Sequence, residues 1–193
     1  MRLFVAIDIE DAIRQRLARF MEGVRGFAPE VRWVRPESLH LTLKFLGETD
    51  EATAERVRQS LAGIRNRAPQ ISFGGTGFFP TPRSARVFWI GVEASEPLAE
   101  LAEKVEQAME GLGYERERRE FAPHLTLARS GSGRPGRGPE DKPNLRFRRL
   151  QEKLAAMPPP DFGTMTAREF HLYQSRLSPK GSEYTKLASF KLD

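Results

Sequence analysis

The sequence predicts a mixed α/β (α+β) fold, built as two similar lobes that face each other across a pseudo-twofold cleft. Three observations predict it. The tetrapeptide His-Leu-Thr-Leu occurs at His40–Leu43 and again at His124–Leu127, 84 residues later. The order strand, helix, His-bearing strand occupies residues 3–43 and returns over 87–127, each time followed by a helix and another strand. Phe4 and Phe88 share the 84-residue offset of the histidines, although the residues beside them align better at 85. The chain, 1–193, therefore reads as one two-lobed domain with a loose internal duplication, approximately 1–83 and 84–193.

Each element has its own signal. Leu3 to Ile9 reads as a strand. Ile13, Leu17, Phe20 and Val24 recur at helical spacing and predict a helix over 11–24. Val31 to Val34 is a short extended segment before Pro36. In the first motif Thr is β-branched and the apolar residues alternate, so it predicts a strand. His40 and Thr42 then share one face, and Leu41 and Leu43 the other. Thr49-Asp50 can cap a helix over 51–65, striped by Val57, Leu61 and Ile64. Strands over 71–79 and 86–92 flank a Pro80-Thr81-Pro82-Arg83 turn. Gly74-Gly75-Thr76-Gly77 lacks the spacing of a nucleotide-binding glycine loop and predicts a bulge or turn. Ser95 caps a helix over 97–112, with Pro near its start and Gly near its end. The second motif repeats the strand. Residues 130–143, rich in Gly, Pro and Arg, read as a basic loop. A helix over 145–156 and alternating strands over 167–177 and 184–192 complete the chain.

Composition sets bounds. With 39% hydrophobic and 30% charged residues the chain suits a globular protein with a sizeable core. No apolar run is long enough to span a membrane. The apolar stretch at the start is too short for an export signal and lacks a small-residue cleavage site, so a cytoplasmic location is expected. Zero cysteines exclude a disulfide framework, a thiol nucleophile and Cys-ligated zinc. The net charge of +5 and pI near 9.8 favour a polyanionic partner such as RNA, and equally fit a basic enzyme without one.

Two of only three histidines sit in the repeated motif. An imidazole from each lobe in one cleft makes an acid and base pair, since free imidazole titrates near neutrality. Phosphodiester cleavage needs such a pair: one group deprotonates the nucleophile and the other protonates the leaving group. It also needs donors for the phosphate oxygens. Thr42 and Thr126 lie on the histidine faces and can serve. Arg129 falls on the core side of an unbroken strand, so it reaches the cleft only through a bulge or the strand end, where its guanidinium could pair with phosphate. Two histidines without a carboxylate at ligand spacing make a poor zinc set. A serine nucleophile lacks its elbow and its triad.

The paired His-x-Thr-x motifs resemble those of the 2H phosphoesterase superfamily. The longer strings His-Leu-Thr-Leu-Lys-Phe-Leu-Gly (40–47) and Pro-His-Leu-Thr-Leu-Ala-Arg (123–129) resemble its RNA 2′,3′-cyclic phosphodiesterase, or 2′-5′ RNA ligase, branch. So do the opening Arg-Leu-Phe-Val-Ala-Ile-Asp and the closing Ser-Arg-Leu-Ser-Pro-Lys-Gly-Ser-Glu-Tyr (175–184). The likeness runs through nearly the whole chain but does not interpret the Gly/Arg-rich segment over 131–143. It implies antiparallel sheets, no metal and no cofactor. The implied partner is RNA with a 2′,3′-cyclic phosphate end, such as a tRNA fragment, with no membrane and no obligate protein partner.

The resemblance also implies roles. His40 would be the proton donor to the leaving 3′-oxygen, and His124 the proton acceptor that activates water, leaving a 2′-phosphate. Thr42, Thr126 and Arg129 would hold the phosphate. The reverse reaction would exchange the histidine roles and join 2′-5′ ends. Other residues carry two readings each. Phe45 could stack a base, but core packing is the favoured reading. His171 reads as structural or surface. Lys180 and Tyr184 border the cleft or merely make a turn. Arg146, Arg148 and Arg149 read as a solvated helix face rather than RNA contacts. Two alternatives to the RNA enzyme remain: a non-catalytic RNA-binding module, and a cyclic phosphodiesterase acting on a small nucleotide.

Overall fold

The computed structural model describes residues 1–131 and 143–193, so most of the basic loop expected over 130–143 lies outside the described residues. The chain runs β1 (Arg2–Asp8), α1 (Asp11–Val24), β2 (Arg32–Trp33), β3 (His40–Glu48), α2 (Glu51–Ala62), β4 (Gln70–Phe79) and β5 (Val87–Ala94). It continues α3 (Glu96–Glu110), β6 (His124–Arg129), α4 (Arg148–Ala155), β7 (Asp161–Thr166), β8 (Glu169–Ser178) and β9 (Gly181–Lys191). The strands form two antiparallel sheets, β3-β1-β8-β9 and β2-β6-β5-β4-β7. Both histidine motifs are strands, each paired with the first strand of its lobe: β3 with β1, and β6 with β5.

The two halves of the chain are interleaved. The second neighbour of β1 is β8, from the far end of the sequence, and the second neighbour of β5 is β4, from the first half. The helices cross over as well. In α1 the buried stripe is Ile13, Leu17, Met21 and Val24, and the helix packs on β7 of the five-stranded sheet. There Arg16 donates to the Phe162 carbonyl at 2.9 Å. In α3, Leu98, Leu101, Ala102, Val105 and Met109 are buried, and the helix lies against β3 and α2 of the four-stranded side. Burying one apolar stripe per helix is the usual way such layers are held.

Local chemistry explains most boundaries. Asp50 caps α2, its side chain accepting from the Thr53 amide at 2.7 Å. The helix stops at Ala62, three residues before the expected end, where Gly63 follows. Ser95 stands at the start of α3 but does not cap it; its hydroxyl accepts from the Gln70 amide at 2.9 Å and ties the helix to β4. The Gly74 to Gly77 run is a bulge within β4, with Gly75 at φ +70°. Gly77 admits the Trp89 indole, which lies where a Cβ would be. Strand β7 has no counterpart in the sequence expectations. Its apolar residues Phe162 and Met165 are three apart because the pairing with β4 slips beside Gly163, at φ +102°. No helix among the described residues is long and apolar enough to cross a membrane.

Both histidine strands are bulged at the same place. Thr42 pairs with Ala6 and Lys44 with Val5, so Leu43 is skipped. Thr126 pairs with Trp89 and Ala128 with Phe88, so Leu127 is skipped. The slip turns Lys44 inward. Its ammonium is buried and donates to both Glu106 carboxylate oxygens, at 3.1 and 2.9 Å, and to the Glu115 carbonyl at 2.9 Å. This ion pair bolts the first histidine strand to α3. Removing one partner of a buried pair strands the other charge. Lys44→Ala is therefore expected to cost about 3–5 kcal/mol of stability, measured by denaturant unfolding, with Lys44→Met milder than Lys44→Ala because it keeps the packing of the stem.

Candidate active site

The bulges decide which residues share the histidine faces. On β3, Leu41 and Leu43 enter the core beside Leu3, Val5 and Ile7, while His40 and Thr42 lie opposite, with Ala6 and Asp8 of β1 as their partners. On β6, Leu125 and Leu127 are buried, and His124 and Thr126 face the other way against Gly91 and Trp89. Beyond each bulge the alternation restarts one step later. Arg129 consequently pairs with Val87, joins the His124 and Thr126 face, and is exposed. The bulge that Arg129 required is present. The same shift acts on Phe45, which overturns the reading of that residue as core: it is 74% exposed and pairs with Phe4 on the His40 side.

Chain connectivity brings the two histidine strands together. Arg32 and Trp33 of β2 pair with Arg129 and Ala128 of β6, and the Val34 amide donates to the Leu127 carbonyl at 2.8 Å. Only residues 35–39 separate that bond from His40. Arg14 of α1 fixes this approach, donating to the Pro36 carbonyl at 2.6 Å and the Leu39 carbonyl at 3.1 Å. β3 and β6 lie in contact although they belong to different sheets.

The two imidazoles are anchored alike. His40 Nδ1 lies 2.8 Å from the Ser38 carbonyl, and His124 Nδ1 lies 3.0 Å from the Ala122 carbonyl. A carbonyl only accepts, so each Nδ1 carries the hydrogen and each Nε2 is left to take or give a proton. Their surroundings differ. His124 meets Phe79 and Trp89 edge-on or tilted, with ring centroids 5.1 and 6.4 Å away. His40 is ringed by Tyr173 at 4.7 Å, Tyr184 at 5.2 Å and Phe4 at 6.0 Å, and its side chain is only 8% exposed. Burial is the largest influence on His40. It lowers the imidazole below its ordinary value, against the raising effects of the Ser38 carbonyl and Asp8.

Sequence reasoning missed several neighbours. Asp8 lies on the His40 face, 4.0 Å from its Nε2. Alternation could have found it, because Phe4, Ala6 and Asp8 all oppose the buried Leu3, Val5 and Ile7. Arg32 sits directly across from Arg129 and so shares its face. Tyr173 could have been found only through the pairing of β1 with β8. The remaining expectations divide. Tyr184 borders His40, whereas Lys180 sits in the β8–β9 turn. His171 is buried, its Nδ1 2.9 Å from the Ser189 hydroxyl, in keeping with the structural reading. Arg146, Arg148 and Arg149 are exposed, and Arg149 lies 6.0 Å over the Phe27 ring. Among the described residues no three His, Asp or Glu side chains are grouped closely enough to hold an ion.

Comparison with known proteins gives a consistent result. An RNA 2′,3′-cyclic phosphodiesterase of Archaeoglobus fulgidus is 36% identical over 99% of this chain and 100% of its own length. One from Methanothermobacter thermautotrophicus is 32% identical over 99% and 98%. The crystal structure of E. coli LigT complexed with 3′-AMP superposes with a TM-score of 0.77 at 28% identity, covering 99% of this chain and 97% of that one. The family model described as LigT like Phosphoesterase matches twice in succession, over residues 7–89 and 90–184. The chain belongs to the LigT-like phosphoesterase family.

Proposed function

We propose that this protein hydrolyses 2′,3′-cyclic phosphate ends of RNA to 2′-phosphates, with His40 as general acid and His124 as general base. The observation that carries the reading is the matched pair of imidazoles, each tied through Nδ1 to a carbonyl two residues back and each left with a free Nε2. The activity is that named for the relatives, and the +5 charge suits a polyanion. In this mechanism His124 takes a proton from water as it attacks phosphorus. The bond from phosphorus to the 3′-oxygen breaks, and His40 gives that oxygen its proton. Thr42, Thr126 and Arg129 hold the non-bridging oxygens. Phe45 offers an exposed ring for a base. Run backwards with a 5′-hydroxyl in place of water, the same groups would form a 2′-5′ bond. The reading takes the halves of the chain as duplicated copies, and it has the enzyme working in the cytoplasm on RNA fragments such as those of tRNA.

His40→Ala and His124→Ala are each expected to lose about 10²–10⁴-fold in turnover, with less than additive effects in the double variant. The assay is a cyclic-phosphate oligonucleotide in excess chelator, with the product resolved by chromatography. A dominant 3′-phosphate would show that the leaving group is misassigned. Near wild-type turnover in either variant would overturn the paired-histidine mechanism, and no turnover in the wild type would leave a non-catalytic RNA-binding module.

The pH dependence follows from burial of His40. An acid must start protonated, so raising pH through the His40 titration removes the acid. Because that value is lowered, the limb of the kcat/KM profile that His40 sets should lie below the ordinary histidine value of 6.5. Two limbs both well above that value would assign them to other groups.

Arg32 separates RNA from a small cyclic nucleotide as substrate. Two exposed arginines directly opposite in a sheet repel unless an anion lies between them. Neither pairs with a carboxylate among the described residues. Arg129 serves the reacting phosphate, and Arg32 stands one strand over on the edge strand β2, about 5 Å away, which suits the next phosphate of a strand. Arg32→Ala should cut kcat/KM about tenfold or more on an oligonucleotide while leaving a nucleoside 2′,3′-cyclic phosphate nearly unaffected. Equal loss on both substrates would favour the small-nucleotide reading.

A further inference from the structure

Around Asp8 lies a cluster that the hydrolytic mechanism does not use. The Tyr173 hydroxyl donates to Asp8 Oδ1, and the Lys186 ammonium to Oδ2 at 2.7 Å. The Nε2 of His171 is 3.4 Å from the same Oδ2. Three strands meet in this cluster: β1 brings the carboxylate, β8 the tyrosine and the histidine, and β9 the lysine. Tyr173 also stacks on Phe4 at 5.3 Å and lies 4.7 Å from the His40 ring, so the carboxylate and the imidazole share one rigid wall. An open cavity of about 610 Å³ reaches Asp8 and His171, lined also by Glu10, Arg168, Glu169 and Lys191.

We propose that Asp8 is a positioning residue for His40: its carboxylate, fixed by Tyr173 and Lys186 at 4.0 Å from Nε2, stabilises the imidazolium that the acid step needs. The need arises from the burial of His40. A histidine sunk among three aromatic rings loses hydration of its charged form. A fixed anion nearby restores part of that loss. Burial would raise Asp8 itself, but the hydrogen bonds from Lys186 and Tyr173, with His171 beside them, together hold it ionised below the usual carboxylate range. Burial and the bond to Asp8 push the Tyr173 hydroxyl well up, so it stays a donor. Burial also lowers His171, against the raising effect of Asp8. The titratable and charged groups that act on His40 from the packed elements are Asp8 on β1, Arg14 on α1 and His171 on β8, with Lys186 on β9 acting through Asp8.

Asp8 and Lys186 should act in opposite directions, which a merely structural role would not produce. Asp8→Asn removes the anion while keeping an oxygen for Tyr173. The His40 titration midpoint, read by NMR of the imidazole in the free enzyme, should fall by about one unit. Lys186→Met leaves the anion uncompensated, and the midpoint should rise. The limb of kcat/KM that His40 sets should move with the midpoint in each case, so Asp8→Asn loses several-fold more activity at pH 7.5 than at pH 5.5. Midpoints unchanged in both variants would overturn the proposal. Should Asp8→Asn fail to fold, an unchanged midpoint in Lys186→Met overturns it alone. The proposal rests on His40 as the acid. If the midpoints move as expected and neither limb of kcat/KM follows, the coupling stands and the assignment of the acid falls.

Discussion

The alternation of a β-strand is the constraint on which this architecture depends. Each histidine strand must bury two leucines on one face and present His and Thr on the other, which a plain strand does well. A plain strand cannot also present the fifth residue after His on that same face. One skipped residue, Leu43 in β3 and Leu127 in β6, resolves the conflict. The two lobes then diverge at the equivalent position: one offers the phenyl ring of Phe45, the other the guanidinium of Arg129. The shift also turns the preceding residue inward. In β6 that residue is Ala128, which needs no partner. In β3 it is Lys44, and the fold supplies Glu106 and the Glu115 carbonyl to receive it.

The environments of the two imidazoles are less alike than their anchors. His40 is sunk among Phe4, Tyr173 and Tyr184 with a carboxylate near its Nε2. His124 lies beside Phe79 and Trp89, and the residue opposite it is Gly91 rather than an acid. The partner of His40 on β1 is Asp8, so the two lobes place an acid and a glycine at equivalent points. Identical tetrapeptides thus stand in unlike electrostatic settings. In the proposed mechanism this asymmetry would let one motif serve opposite proton transfers, with the direction decided by surroundings and not by the motif.

Much of this was legible in the sequence, and the failures have a common physical source. The histidine strands, the helices and the bulge in the glycine run all follow from local pattern. For Arg129 the need for a bulge could be stated beforehand, because a guanidinium on the core side is implausible. For Phe45 the same bulge hid the answer, since a phenylalanine on the core side raises no alarm. Strand β7 escaped because its slip beside Gly163 broke the period that would have announced it. Asp8, Tyr173 and Lys186 come together only through the pairing of β1 with β8 and of β8 with β9. No local signal encodes a contact between residues so far apart in the chain.

The interleaving of the halves has a consequence for how the chain acquires its structure. β1 is made long before its partner β8, since Arg2 pairs with Ser175. The four-stranded sheet cannot close until the chain through β9 exists. Such a high contact order slows folding, because loop-closure entropy must be met before long-range pairs form. Helix α1, which packs on β7 more than a hundred residues later, would meanwhile have its apolar stripe uncovered. A nascent chain stalled before β8 would leave one edge of β1 unpaired and open to other strands.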